Sequence, residues 1–287
     1  MDLRRWLMVG FALSSIHTLV AQKISGTVLD AGSGELLPYV HIGIKNTARG
    51  TISRDDGSFQ LDMTGLQQEQ PVYFSMLGYE EYSIPIAKLR DKKVQIRLEP
   101  SSISLSEVTV SHVPKRFKKI KIGNFGNSKT TTGKSGNEPF GWGGEWGTEL
   151  PKQNHGYKVK DVNFHLRYNT VDSILFRINL YQMSKDGNPT NTRLQKPAYV
   201  TSKAKQHWIS LDLTDRGIWV DEALLVTMEW VRIWYAETGK NLIFFSHAKE
   251  NKNRVYHRNN SYGNWMVNEK PPLALFINAI VDKKGKL

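Results

Sequence analysis

Apolar and polar residues alternate with a period of two along most of the chain beyond residue 22. Val40, Ile42 and Ile44 share one side of a segment whose other side carries His41. Val162, Phe164, Leu166 and Tyr168 alternate with Asn163, His165 and Arg167, and Ile174, Phe176, Ile178 and Leu180 alternate with Leu175, Arg177, Asn179 and Tyr181. Successive side chains of a strand point to opposite faces, so each such segment has a core side and a wetter side. The pattern predicts short strands at 24–30, 38–45, 51–53, 58–63, 71–76, 81–86, 94–98 and 107–110, with turns at Gly57, Gly65 and Gly78. A second series is predicted at 145–150, 157–168, 174–181, 206–213, 218–220, 223–235, 241–247, 254–257, 264–267 and 273–280. Residues 184–196, containing Asp186-Gly187-Asn188-Pro189, read as a loop. The 223–235 stretch can be drawn as a helix, but Val226, Met228, Trp230 and Val231, Ile233, Tyr235 fit a long strand better. The expected fold class is all-β: a small sandwich of about seven strands, then a larger jelly-roll-like sandwich.

The first residues have a different pattern. Arg4 and Arg5 precede a largely apolar run from Leu7 to Val20, and Ala21 stands before Gln22, as in a secretion signal over residues 1–21. The run is about 14 residues and is interrupted by polar residues, against the ~20 apolar residues of a membrane-spanning helix. Cysteine is absent, which excludes disulfides, thiolate metal sites and a lipid-modified cysteine. An exported chain without cysteine suits a bacterial envelope, with location in the periplasm, at the outer membrane or on the cell surface. Charge is uneven: residues 22–113 carry 9 Lys and Arg against 11 Asp and Glu, whereas residues 114–287 carry 28 against 15. A basic partner surface therefore belongs to the second half.

The stretch from Arg49 to Phe59 organises the first half. Gly50 and Gly57 supply turn positions around Asp55 and Asp56, and Phe59 starts an alternating run. With Gly26-Thr27-Val28 and Asp30, Leu37-Pro38-Tyr39-Val40, Asp56-Gly57-Ser58-Phe59, Ser75-Met76-Leu77-Gly78-Tyr79, Ile96-Arg97-Leu98 and Leu105-Ser106-Glu107-Val108-Thr109-Val110, it resembles the carboxypeptidase-like regulatory domain. That family is a transthyretin-like β-sandwich, frequent in envelope proteins of Bacteroidetes and without catalytic residues. The resemblance implies a scaffold and an outer-membrane protein as a partner class. The second half loosely resembles galactose-binding-like jelly rolls, through Trp208-Ile209-Ser210-Leu211-Asp212-Leu213 and the strand at 145–150. The domains expected are 1–21 signal, 22–112 regulatory-like sandwich, 113–156 basic linker and Gly/Trp-rich lead-in, and 157–287 jelly-roll-like domain, which also draws in 140–156.

Enzyme signatures fail individually. His247-Ala248-Lys249-Glu250 has the His-x-x-Glu spacing of zinc carboxypeptidases, but a catalytic zinc needs three protein ligands, and only His257 follows. Gly133-Lys134-Ser135 echoes a phosphate loop without its leading glycine, since Ser128 stands there. The adjacent carboxylates Asp55-Asp56, Glu80-Glu81 and Asp221-Glu222 point to opposite faces and cannot flank one glycosidic bond. No enzyme, metal or cofactor is expected; an unrecognised hydrolase and a purely structural or adhesive module are the alternatives. Seven tryptophans lie in the second half. Trp208, Trp219, Trp230 and Trp234 read as interior or half-buried, whereas Trp142, Trp146, Tyr262 and Trp265 sit in Gly/Asn-rich loops where an aromatic face can meet a sugar. Arg254, His257 and Arg258 add a cluster suited to carboxylate or phosphate. The expected partner is a glycan or an anionic envelope component; nucleic acid is the weakest candidate. The basic run from Pro114 to Lys121 reads as a solvated linker, or else as a contact to anionic groups.

Overall fold

The computed structural model describes residues 23–89, 93–101, 117–135, 142–194, 196–237, 239–249, 254–268 and 271–282. The proposed signal, the strand expected at 107–110 and Glu250 lie outside these residues. The strands are β1 (Lys23–Asp30), β2 (His41–Gly43), β3 (Gly50–Ile52), β4 (Ser58–Asp62), β5 (Pro71–Ser75), β6 (Tyr82–Pro85) and β7 (Val94–Leu98) in the first half. The second half contains β8 (Phe117–Gly123), β9 (Thr131–Ser135), β10 (Glu145–Leu150), β11 (Tyr157–Asn169), β12 (Ser173–Met183), β13 (Pro189–Arg193) and β14 (Ala198–Lys203). It continues with β15 (Trp208–Asp212), β16 (Trp219–Val220), β17 (Leu224–Trp234), β18 (Leu242–Ser246), β19 (Val255–Arg258), β20 (Met266–Asn268) and β21 (Leu275–Asp282).

In the first half a sheet of order β4-β1-β7 packs on a sheet of order β3-β2-β5-β6. Val28, Ile42, Phe59, Leu61, Val72, Phe74 and Ile96 fill the space between them, all from the apolar sides of their strands. The second half is a larger two-sheet sandwich. One sheet runs β13-β12-β17-β10-β19-β20 with β14 also on β12; the other runs β8-β21-β11-β18-β9 with β15 and β16 also on β11. Its core holds Phe164, Phe176, Ile178, Met228, Trp230, Phe245 and Ile277, with Phe176, Trp230 and Phe245 rings within 6.0 Å of one another. The long strand expected at 223–235 is β17.

Two segments differ from the reading of the sequence. The basic run expected as a linker is in part β8, which pairs antiparallel with β21 from Phe117↔Asp282 to Gly123↔Phe276. Ile120 and Ile122 pack on the core while Lys119 and Lys121 take the outer positions, a period of two that the lysines obscure. The loop expected at 184–196 contains β13, which pairs with β12 after the turn at Gly187 (φ 73°).

The two sandwiches meet closely, and glycines set the distance. A Cβ on Gly50 would stand 2.4 Å from Cγ of Asn260, and one on Gly43 would stand 3.1 Å from the Tyr262 ring. From the other side, Gly143 (φ 83°) lies under Ile52, whose Cγ2 is 2.9 Å from where a Cβ would be. Gly50→Ala is therefore expected to destabilise the chain by about 1–3 kcal/mol through overpacking. Asn260→Gly in the same chain should recover part of the loss, a coupling that a double-mutant cycle in urea reads directly.

Candidate functional site

The larger sandwich has two outer faces, and they differ. On the first face, β10, β12, β17 and β19 are neighbours, and cross-strand pairing sets Glu145 beside Glu229 and Arg258, and Arg177 beside Glu229. Alternation adds Asn179, Tyr181 and Thr227 to the same face. The first sandwich covers this layer, so that Glu145, Glu229, Arg177, Arg258 and Asn179 are all at most 3% exposed.

Glu145 accepts from Arg258 Nη2 at 2.6 Å, Thr227 Oγ1 at 2.7 Å, Tyr181 Oη at 3.0 Å and Asn179 Nδ2 at 3.1 Å. Burial pushes this carboxyl up, but Arg258, Arg193 and the Thr227 hydroxyl outweigh it and hold it below its usual value. Glu229 is likewise pushed up by burial and pulled well down by Arg177, His41 and Arg193. His41, from the first sandwich, places Nε2 2.7 Å from Glu229 and 2.6 Å from Arg177 Nη1. Burial, reinforced by Arg177 and Arg193 against the pull of Glu229, lowers its pKa to about 4, so the ring is neutral at pH 7. Arg177 also donates to the carbonyl of Tyr39 at 2.7 Å, and Tyr39 holds the left-handed backbone region at φ 62°.

This layer resembles a catalytic constellation in composition only. Two carboxylates and three guanidiniums converge, but the carboxylates are fully enclosed and already accept several hydrogen bonds each. A general acid or base must be within reach of substrate. Its effect is to join the sandwiches.

Of the residues singled out in the sequence, Tyr262, Trp265 and Arg258 stand at this junction, whereas Trp146 lies on β10 and packs inward on the core. Tyr262 packs on Tyr73 with ring centroids 5.7 Å apart, directs its hydroxyl to Glu81 at 3.4 Å, and accepts from Asn46 N at its carbonyl. Trp265 packs edge-on against Tyr181 under the Arg258 guanidinium, 4.2 Å from the ring centroid. Trp146 stacks on His257 at 4.7 Å, half-buried against the core. Arg258 is interior, and Arg254 alone of these residues is exposed. Trp142 lines a cavity of about 210 Å³ between the sandwiches with Tyr39, Ile52, Arg54, Asp55 and Arg232. Arg232 is paired with Asp55 across it, and the volume falls below the ~300–1,000 Å³ of ordinary small-molecule pockets. His247 turns Nδ1 to the carbonyl of Pro271, and among the described residues no three His, Asp or Glu side chains are placed to hold a metal.

The second outer face is open. β15, β11, β21 and β8 lie side by side, and their registers align outward residues in rows. Trp208 pairs with His165; Ser210, Asn163 and Phe276 form the next row; Asp212, Asp161, Asn278 and Lys121 form the third; and Trp219, Lys158, Ile280 and Lys119 form the last. Seven residues separate His165 from Lys158, so the rows span about 20 Å at the usual rise per strand residue. Trp208 is 40% exposed, set edge-on to His165 and supported by Phe276 at 5.5 Å. Phe125, 58% exposed, meets Phe276 edge-on at 6.0 Å. In the middle, Asp161 Oδ1 accepts from both Asn278 Nδ2, at 2.8 Å, and Asn163 Nδ2. That arrangement fixes both amides with their donors turned to Asp161, so hydrogen-bonding groups stand on rigid strands between tryptophans at either end.

Sequence reasoning read Trp208 as interior or half-buried and missed this face. Its signal was the alternation of Asn163 and His165 with core residues, together with Phe276 and Asn278 on β21, but joining them required the strand order.

No curated protein matches the chain. Among solved structures, the VP2 subviral particle of infectious bursal disease virus overlaps at a TM-score of 0.26 and 8% identity, covering 91% of this chain and 63% of that one. Particles derived from the same virus give 0.26 and 8%, covering 92% and 59%, and its Gx strain gives 0.26 and 9%, covering 92% and 56%. The chain thus spans about three fifths of the length of these viral chains. Residues 24–110, which take in the first sandwich, match the family model described as CarboxypepD_reg-like domain, so the smaller sandwich is a carboxypeptidase-regulatory-like domain, a non-catalytic β-sandwich.

Proposed function

We propose that this is an exported, non-catalytic binding protein of the bacterial cell envelope that recognises glycan through the open face of its second sandwich. The observation that carries the reading is the hydrogen-bonded trio of Asn163, Asp161 and Asn278, from two adjoining rows, held between Trp208 and Trp219. An exposed aromatic ring offers a flat apolar surface to the axial hydrogens of a sugar, and fixed amides and carboxylates hydrogen-bond its hydroxyls without a further ordering cost. The regulatory-like sandwich acts as a scaffold on the opposite side, where it leaves the glycan face free. The glycan assignment to Trp142, Trp146, Tyr262 and Trp265 moves to Trp208 with this reading, because Trp142, Tyr262 and Trp265 serve the junction or its margin and Trp146 packs on the core.

A glycan array probed with the full chain tests it. Binding to at least one oligosaccharide class is expected, reduced about tenfold or more by Trp208→Ala, the size of effect typical of a central aromatic anchor. Far-UV circular dichroism checks that the variant is folded. A folded Trp208→Ala chain that binds every array ligand as the parent does would move the site elsewhere.

A further inference from the structure

The sequence contains a basic run that the glycan reading leaves unused, and the structure attaches it to the same face. Lys119 and Lys121 occupy outward positions of β8, beside Ile280 and Asn278, and Lys158 stands across Ile280 on β11. Lys118 is exposed along the edge of β8, and Lys160 borders Asp212. Among the described residues none of these five ammonium groups is in an ion pair. Lys121 reaches back over Phe276, 4.3 Å from the ring centroid, which carries positive charge up to the aromatic end.

The carboxylates on this face are engaged. Asp161 Oδ1 accepts from two amides, and Asp212 Oδ1 accepts from the backbone N–H of Thr214 at 2.7 Å. Asp161 and Asp212 thus stand against Lys119, Lys121 and Lys158 on the face and Lys118 and Lys160 at its border. A folded chain gains nothing from leaving like charges side by side on one sheet edge. A ligand that brings negative charge removes that repulsion.

Resting on the glycan reading above, we propose that the ligand is an anionic oligosaccharide, bearing carboxylate or phosphate groups on its sugars. One ring stacks on Trp208, hydroxyls meet the amides of Asn163 and Asn278, and the anionic groups lie along Lys121, Lys119 and Lys158. The uneven charge of the chain, concentrated after residue 113, then has a use at one defined surface.

Calorimetric titration of the full chain with a uronic-acid oligosaccharide, a phosphorylated oligosaccharide and an uncharged oligosaccharide of equal length tests this. The titrations are run at ~0.01 M and ~1 M salt, where the screening length is about 30 Å and 3 Å. One or both anionic ligands are expected to bind at least about tenfold more tightly than the neutral one at low salt, and the advantage should vanish at high salt. A Lys119→Gln, Lys121→Gln, Lys158→Gln chain should lose that advantage while keeping its affinity for the uncharged ligand. Equal binding of charged and uncharged ligands, or an unchanged preference in the triple variant, overturns the anionic assignment and leaves glycan binding standing. Binding to vesicles of anionic phospholipid but to no oligosaccharide overturns both readings in favour of a lipid surface.

Discussion

Arg258→Met lowers the unfolding free energy by about 3–5 kcal/mol, because it removes the principal counter-charge of a carboxylate that no water can reach. Glu145 is completely buried and Arg258 nearly so, with 2.6 Å between Nη2 and Oε1. Methionine replaces most of the volume, so the loss reports charge and not a cavity. The measurement is a urea titration followed by tryptophan fluorescence, with the midpoint shifted and the slope retained. Two comparisons isolate the cause. Adding Glu145→Gln removes the stranded charge and should return part of the stability. Lys152→Met, which breaks the Lys152–Glu222 pair at 2.7 Å, should change stability by less than about 1 kcal/mol, since those side chains are 56% and 40% exposed. Equal effects of Arg258→Met and Lys152→Met would mean that the junction is wet in solution.

The junction shows where the sequence was readable and where it was not. Alternation placed Arg177, Asn179 and Tyr181 on the wetter side of β12, and that side does face away from the core of its sandwich. It is dry because a second folded unit covers it, and no periodicity within one strand reports what lies on top. The sign pattern was visible in part: Glu145, Glu229, Arg177 and Arg258 are charges at alternating positions of strands otherwise rich in large apolar residues. Only strand order makes them neighbours. Gly50 shows the same limit. It was read as a turn residue beside Gly57, but it opens β3 without a positive φ, and what requires a glycine there is the contact with Asn260, over two hundred residues away, which depends on docking. The regulatory-like sandwich was identifiable because several spaced motifs had to agree, while the second half offered composition alone. Its tryptophans were read as the carriers of binding, yet loop position proved a poor guide to exposure: Trp265, in a loop, packs against Tyr181 under Arg258, and the strand residue Trp208 reaches the surface.

These placements divide the chain's surfaces. The larger sandwich gives one outer face to the regulatory-like domain and keeps the other for solvent. If the open face is the proposed site, the hydrogen-bonded strands that carry Asn163, Asn278 and Trp208 set the spacing of its contacts. On the proposed glycan reading, variants at the junction are expected to weaken stability before they alter glycan preference.

The strength of that junction depends on pH, and the sign follows from His41. Its pKa is lowered to about 4 in the folded chain, against ~6.5 when unfolded. Between these values the unfolded state binds more protons, so the contribution of His41 is complete above pH 6.5 and declines as pH falls toward 4. At ~1.4 kcal/mol per unit the chain loses about 2–3 kcal/mol between pH 7.5 and 4.5 from this one ring. Protonation there would put a third cation beside Arg177 and Arg193. Glu145 and Glu229, both held below their ordinary values, add to the loss only under more acidic conditions, as pH drops below the unfolded carboxylate range. Urea midpoints measured at half-unit steps should therefore fall steadily from pH 6.5 and more steeply below about 4.5. In His41→Gln the first part of that decline should flatten, with the chain already weaker at pH 7.5 for want of the ring. A wild-type stability that stays level from pH 7.5 to 4.5 would show that His41 carries its proton in the folded state, paired with Glu229, and that burial beside Arg177 and Arg193 does not set its charge.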